Sequence, residues 1–127
     1  MLDLKYSLDA LRADRDERGI QHDLAWAESE PVGYCAYGPQ AETGDPKLFS
    51  LYVRSDHRGR GCGAALLDRA VRWARAREAT FIVLTVNKRN TSAIEAYEHC
   101  GFQRRSAVVT EIGSGFVMDD YVMELGL

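Results

Sequence analysis

The chain has 127 residues, 46% hydrophobic and 28% charged, with 16 basic and 19 acidic side chains and a net charge of −3. That length holds one core and not two, so a single domain over residues 1–127 is expected, with the composition of a soluble globular protein. The acidic balance does not imply a nucleic-acid partner, and the longest apolar run is far short of a membrane span.

Cys35, Cys62 and Cys100 are odd in number and widely spaced, with no CxxC pair. This argues against a disulfide framework and against a zinc site, so no metal is expected. The start from Met1 to Arg15 is charged throughout and does not read as a secretion signal. A cytoplasmic location is the expectation.

In chain order, Leu2, Leu4 and Tyr6 alternate with polar residues as in a short strand. Leu4, Leu8 and Leu11 form a helical stripe, and Gly19 follows where a helix would stop. A helix from Leu8 to Arg18 is therefore predicted, with a strand before it. His22 to Glu28 and Val32 to Tyr37 read as an antiparallel hairpin turning at Glu30-Pro31 and Gly33. Gly38 to Lys47 is rich in turn formers and reads as a loop, and Leu48 to Val53 as a third strand.

A helix is predicted from Gly61 to Arg77, with Leu67, Val71 and Ala74 as a stripe widened by Leu66, Ala70 and Trp73. Phe81 to Val86 is continuously apolar and β-branched, as in a buried central strand. A polar loop (Asn87 to Asn90) and a short helix from Thr91 to His99 come next, with Gly101 placed as its C-terminal cap. Phe102 to Leu127 reads as two strands around Gly113-Ser114-Gly115. The order predicts a mixed α/β domain (α+β, mixed sheet).

The densest chemistry lies between the third strand and the next helix, where Arg58-Gly59-Arg60-Gly61-Cys62-Gly63-Ala64 leads into the helix. Bare backbone N–H groups at a helix start attract anions, phosphates above all. No lysine follows the glycines, so this is not a P-loop. Gly59-x-Gly61-x-x-Ala64 matches a dinucleotide fingerprint, but the next strand ends in Val86-Asn87 without the required acid. The bland alternative is a tight turn that packs the helix closely, which the flanking Arg58 and Arg60 disfavour.

A second constellation follows the next strand: Asn90, Ala93, Tyr97 and Gly101-Phe102. Together with Arg58-x-x-Gly61-x-Gly63, it closely resembles the GNAT superfamily of acetyl-CoA-dependent N-acetyltransferases, whose pyrophosphate loop is written Q/R-x-x-G-x-G/A. The terminal Asp119, Asp120, Met123 and Leu125 are similar to the family's last strand, and the likeness runs from about Val32 to Leu125.

The resemblance implies an acyl-CoA N-acyltransferase fold with acetyl-CoA as co-substrate. The pyrophosphate would lie on backbone N–H groups from Arg60 to Ala64, with Gly59, Gly61 and Gly63 permitting close approach and unusual φ. Arg58 and Arg60 are candidates for further phosphate contacts, and Cys62 for a small filler rather than a nucleophile. Leu51, Tyr52 and Val53 would offer backbone groups to the pantetheine arm, a backbone N–H near Val53 facing the thioester oxygen. Asn90 is a helix cap by its residue type and a pantetheine contact by resemblance, with Ala93 beside it. Tyr97 is the candidate general acid, the alternative being a tyrosine that only packs its helix.

The base is unassigned: the third strand carries no Glu or His, and Ser50, Tyr52, Glu28, Glu42, Asp45 and His57 are the groups weighed. Family members usually carry a strand and two helices where only about 20 residues stand here, which implies a shortened N-terminal region. The acceptor, a primary amine, would then meet an open groove or one completed by a second subunit in a homodimer, with Leu2, Leu4 and Tyr6 as candidate contacts. A non-catalytic acyl-CoA-binding module on the same fold is the alternative.

Overall fold

The computed structural model describes the backbone of residues 6–11 and all of residues 19–59 and 61–127. Seven strands form one sheet: β1 (Tyr6–Leu11), β2 (Gln21–Ala27), β3 (Glu30–Pro39), β4 (Pro46–Val53), β5 (Phe81–Asn87), β6 (Gln103–Gly113) and β7 (Phe116–Gly126). Their order is β1-β2-β3-β4-β5-β7-β6. Neighbours are antiparallel except β4 and β5, which run parallel. Two α-helices are described, α1 (Cys62–Ala76) between β4 and β5 and α2 (Thr91–His99) between β5 and β6.

The predicted helix over Leu8 to Arg18 is corrected at its start. Residues 8–11 belong to β1, which pairs antiparallel with β2 from Tyr6↔Ala27 to Leu11↔His22. The same residues carry both periods, and the exposed edge of β2 decides between them by offering a hydrogen-bonding partner. Residues 12–18, like Leu2 and Leu4, lie outside the described residues. The predicted loop over Gly38 to Lys47 is also shorter than expected. Strands claim both its ends, and residues 40–45 turn on hydrogen bonds from Gln40 N–H to Asp45 O and from Gly44 N–H to Gln40 O.

The core is one cluster. The α1 stripe (Leu66, Leu67, Ala70, Val71) and Ile94 of α2 meet alternate strand residues, among them Cys35, Leu48, Ile82, Leu84, Val86 and Met123. Burying each such Leu or Ile contributes about 1.5–3 kcal/mol. Gly33 sets how closely α1 sits on β3. A Cβ there would stand 2.9 Å from both Cys62 Sγ and Leu66 Cδ1. Gly33→Ala should therefore cost about 1–3 kcal/mol in chemical denaturation, and Cys62→Ala in the same chain should recover part of that loss. An unchanged midpoint would show that α1 does not bear on Gly33.

A buried ion pair ties α1 to β2 and β3. Asp23, 1% exposed, accepts from Tyr37 Oη at 2.6 Å and from Arg69 Nε and Nη2 at 3.1 Å each. Both carboxylate oxygens accept hydrogen bonds, which offsets the cost of burying the charge. Burial, and then the hydrogen bond to Asp23, raise the Tyr37 phenol above its ordinary value.

Candidate functional site

The parallel pair at the centre of the sheet is barely a pair. β4 and β5 are in register at Lys47↔Val83 alone, and the strands part beyond it. A β-bulge at Phe49, where β4 slips against β3, turns the strand away. From Leu48 to Val53 the β5-facing backbone of β4 has no strand partner among the described residues. Arg54 N–H donates to Val32 O of β3 at 2.8 Å. Alternation then directs the N–H and C=O of Val53 and Leu51 into the opening, and those of Tyr52 toward β3. Of Leu51, Tyr52 and Val53, Leu51 and Val53 have backbone groups facing the opening, while those of Tyr52 are turned to β3.

Both parallel strands end at one end of this opening, the crevice at carboxyl strand ends where open α/β sheets bind ligands. After β4, a 3₁₀ turn (Ser55–His57) leads to Gly59 at φ 77° and Gly61 at φ 86°, the cap of α1. Only glycine takes those angles without strain. Gly63 does not share this need. It lies inside α1 without a positive φ, and a Cβ there would make an ordinary 3.5 Å contact to Val53 Cγ2. Among the described residues no side chain caps α1, and its first turn holds no acid. Ala65 N–H is taken by Gly61 O at 3.0 Å, so the N–H groups of Cys62, Gly63 and Ala64 before it have no acceptor within the helix.

The arginines divide by role. Arg54 is engaged by Asp56 (2.6 and 3.0 Å) and Glu30 (3.2 Å), a pairing that raises its own pKa and lowers that of Asp56. Arg58 Nε donates to Val53 O at 3.2 Å, which brings its guanidinium to the mouth of the opening. Arg60 is outside the described residues. Arg104 and Arg105 stand away from the loop on β6, near Glu98 and Glu124. Burial pushes the Cys62 thiol up and the Cys35 thiol up to about 12, away from a reactive thiolate.

On the far side of the opening, α2 begins at Asn90, whose side chain accepts from Ala93 N–H at 3.3 Å and caps the helix. Asn90, Ala93, Ile94 and Tyr97 follow one stripe, and Ile94 is the buried anchor. The helix ends in a Schellman turn. Phe102 N–H reaches Tyr97 O and Gly101 N–H reaches Glu98 O, both at 3.0 Å, with Gly101 at φ 104°. That turn sets the buried Phe102 ring edge-on to Tyr97, centroids 5.6 Å apart. Burial, and the neighbouring Cys100, raise the Tyr97 phenol above the ordinary tyrosine value.

None of the carboxylates weighed as a base stands on β4. Glu28 is at the β2–β3 turn with φ 58°, two strands from the opening, and Glu42 and Asp45 are at the β3–β4 turn, the opposite end from the glycines. His57 lies in the 3₁₀ turn. Ser50 and Tyr52 are exposed on β4. Tyr52 faces Tyr34 across the β3–β4 pairing, and Tyr34 Oη shares a 2.6 Å hydrogen bond with His22 Nδ1. Sequence reasoning missed this polar row and the Asp23 ion pair. An acid at an inward position of β2 was the available signal for the latter.

The profile of the acetyltransferase (GNAT) family matches residues 2–102. An uncharacterized N-acetyltransferase of Methanocaldococcus jannaschii is 31% identical over 99 residues, 74% of this chain and 43% of that protein. The L-methionine sulfoximine/L-methionine sulfone acetyltransferase of Pseudomonas aeruginosa is 31% identical over 93 residues, 71% of this chain and 54% of its own length. The chain thus spans about half the length of these curated relatives. Among solved structures, Arabidopsis thaliana Naa50 in complex with the bisubstrate analogue CoA-Ac-MVNAL shares the fold at a TM-score of 0.76 and 20% identity, covering 98% of this chain and 100% of that one. With two strands parted over an uncapped glycine turn and a profile match across most of its length, the chain belongs to the GNAT family of acetyltransferases.

Proposed function

We propose that the protein is an N-acetyltransferase that moves an acetyl group from acetyl-CoA to a primary amine by direct attack in a ternary complex. The observation that carries this is the single registered pair between β4 and β5, which leaves one backbone edge open beside a helix start with unpaired N–H groups. Pyrophosphate lies on the N–H groups from Arg60 to Ala64, with the Arg58 side chain beside it and that of Arg60 a further contact. The pantetheine amides pair with Leu51 and Val53 as a substitute strand, along Asn90 and Ala93.

The amine nitrogen attacks the thioester carbon, a C–N bond forms, and the oxyanion is met by the Val53 N–H. As the C–S bond breaks, the Tyr97 phenol gives its proton to the departing sulfur, and water at Ser50 and Tyr52 carries off the proton of the nitrogen. Three free cysteines support a cytoplasmic setting, and no described helix is long and apolar enough to cross a membrane.

Thiol release from acetyl-CoA over a panel of amines, polyamines, aminoglycosides and peptides tests the reading. Release above the hydrolytic background with at least one acceptor is expected. Tight acetyl-CoA binding without turnover on any of them would favour a non-catalytic acyl-CoA-binding module, the reading supported by the lack of a carboxylate on β4.

A further inference from the structure

Both described helices pack on one face of the sheet, where Ile82, Leu84 and Val86 of β5 and Tyr121, Met123 and Leu125 of β7 turn toward them. Alternation sends Thr85, Asn87 and Asp120 to the other face, together with Ser50 and Tyr52 of β4. On the proposed function, coenzyme A lies at the starts of both helices and takes the helix face of the β4–β5 opening. The amine is left the other face.

Two successive carboxylates near that opening keep different company. Asp119 turns to the helix face, where Lys88 Nζ meets it at 2.7 Å. Asp120 turns to the other face and is 8% exposed, the only buried acid besides Asp23 among the described residues. Asp23 is held by Tyr37 and Arg69, whereas the Asp120 carboxylate has no hydrogen bond or ion pair with any described residue. A carboxylate taken out of water is costly unless a cation meets it. Asp120 pairs across the sheet with Asn87, the last residue of β5, at the carboxyl end of the opening. Strands lie about 4.8 Å apart, so a residue of β7 stands about 8–10 Å from an amine between β4 and β5. That is too far to take the proton of the attacked nitrogen directly. It suits a second cation about 6–9 Å along the same molecule, once side-chain reach and a hydrogen bond are allowed for. Across the opening Tyr52, 57% exposed, presents a ring that also favours a cation over a neutral group. We propose, resting on the transferase reading above, that Asp120 holds a second cationic group of the acceptor, so that the substrate is a diamine or polyamine attacked at its other primary amine.

Calorimetric titration of 1,5-diaminopentane into the full chain loaded with coenzyme A tests this apart from turnover. The comparison ligand is 5-amino-1-pentanol, which keeps the length and one amine and puts a hydroxyl in place of the second cation. The diamine is expected to bind at least about tenfold tighter than the amino alcohol. Asp120→Asn should abolish that preference without lowering the thermal midpoint, since no described side chain loses a partner. Asp120→Lys should reverse it in favour of 5-aminopentanoate. In thiol release, Asp120→Asn should raise KM for the diamine at least about tenfold and leave kcat/KM for the amino alcohol unchanged. Equal binding of diamine and amino alcohol overturns the inference, as does a diamine preference that survives Asp120→Asn. A diamine held through Asp120 yet never acetylated would sustain the cation site and refute the transferase reading instead.

Discussion

Tyr97→Phe is expected to lower kcat for acetyl transfer by about 10²-fold while the Kd for acetyl-CoA changes little. The substitution removes one oxygen and keeps the ring, so the edge-on contact with Phe102 and the closing turn of α2 survive. What is lost, on the proposed mechanism, is the proton donor to the departing sulfur. The raised pKa gives the effect a pH signature. A donor acts while protonated, so its contribution is complete below its pKa and is lost as pH rises through it. Burial has moved that pKa upward from the ordinary value of about 10, which puts the alkaline limb of the wild-type kcat profile above about pH 10. The phenylalanine variant should lack that limb. Steady-state and pH-dependent kinetics read both effects, and an unchanged kcat would remove Tyr97 from the chemistry.

The second large effect concerns binding. Gly61→Asp should weaken coenzyme A binding by about 10³-fold, read by calorimetry, because a carboxylate within about 4 Å of a phosphate costs about 4 kcal/mol at an effective dielectric constant of 20. The position is suited to this test. Nothing lies within 4 Å of where a Cβ would stand, so no packing is disturbed. Aspartate tolerates the left-handed region better than most residues, and its charge is favourable at a helix start, so the fold should persist. Gly61→Ala carries the strain of the 86° φ without the charge and should retain most of the affinity. Affinity retained by the aspartate variant would refute the assignment of phosphate to this turn.

What could be read from the chain follows the range of the interactions. The bounds of α2 coincide with the predicted Thr91 to His99, because both its signals are local: Asn90 accepting the Ala93 N–H, and Gly101 free to take φ 104°. The β2–β3 hairpin and the β5 strand were legible for the same reason, their alternation or unbroken apolarity standing within a few residues, although the turn falls at Glu28-Ser29 and the expected turn residues Glu30, Pro31 and Gly33 lie in β3. β1 was not, since its periods conflict and a partner elsewhere in the chain settles them. The glycine turn was legible as a helix start, but the split between Gly61 and Gly63 was not, because it depends on where the first helical residue falls. The parting of β4 from β5 depends on a bulge at Phe49 and on two strands separated by a whole helix. The ion pair at Asp23 likewise waits on α1 crossing back over β2.

The lone register point between β4 and β5 also bears on how the molecule comes apart. Strands β1 to β4 form one antiparallel ribbon and β5, β7 and β6 another. They are held together along their length by α1 and the shared core beneath rather than by a ladder of hydrogen bonds. Such a sheet has a seam, and local opening concentrates where contacts are fewest. A coenzyme whose amides bridged that seam, as proposed, would supply the missing rungs and act as a structural strut as well as a reactant. At a concentration of 100 Kd it would add about 2.7 kcal/mol to global stability, with the protection greatest for the backbone of Leu51 and Val53. On the proposed function, each release of the coenzyme would return the two ribbons to their looser association.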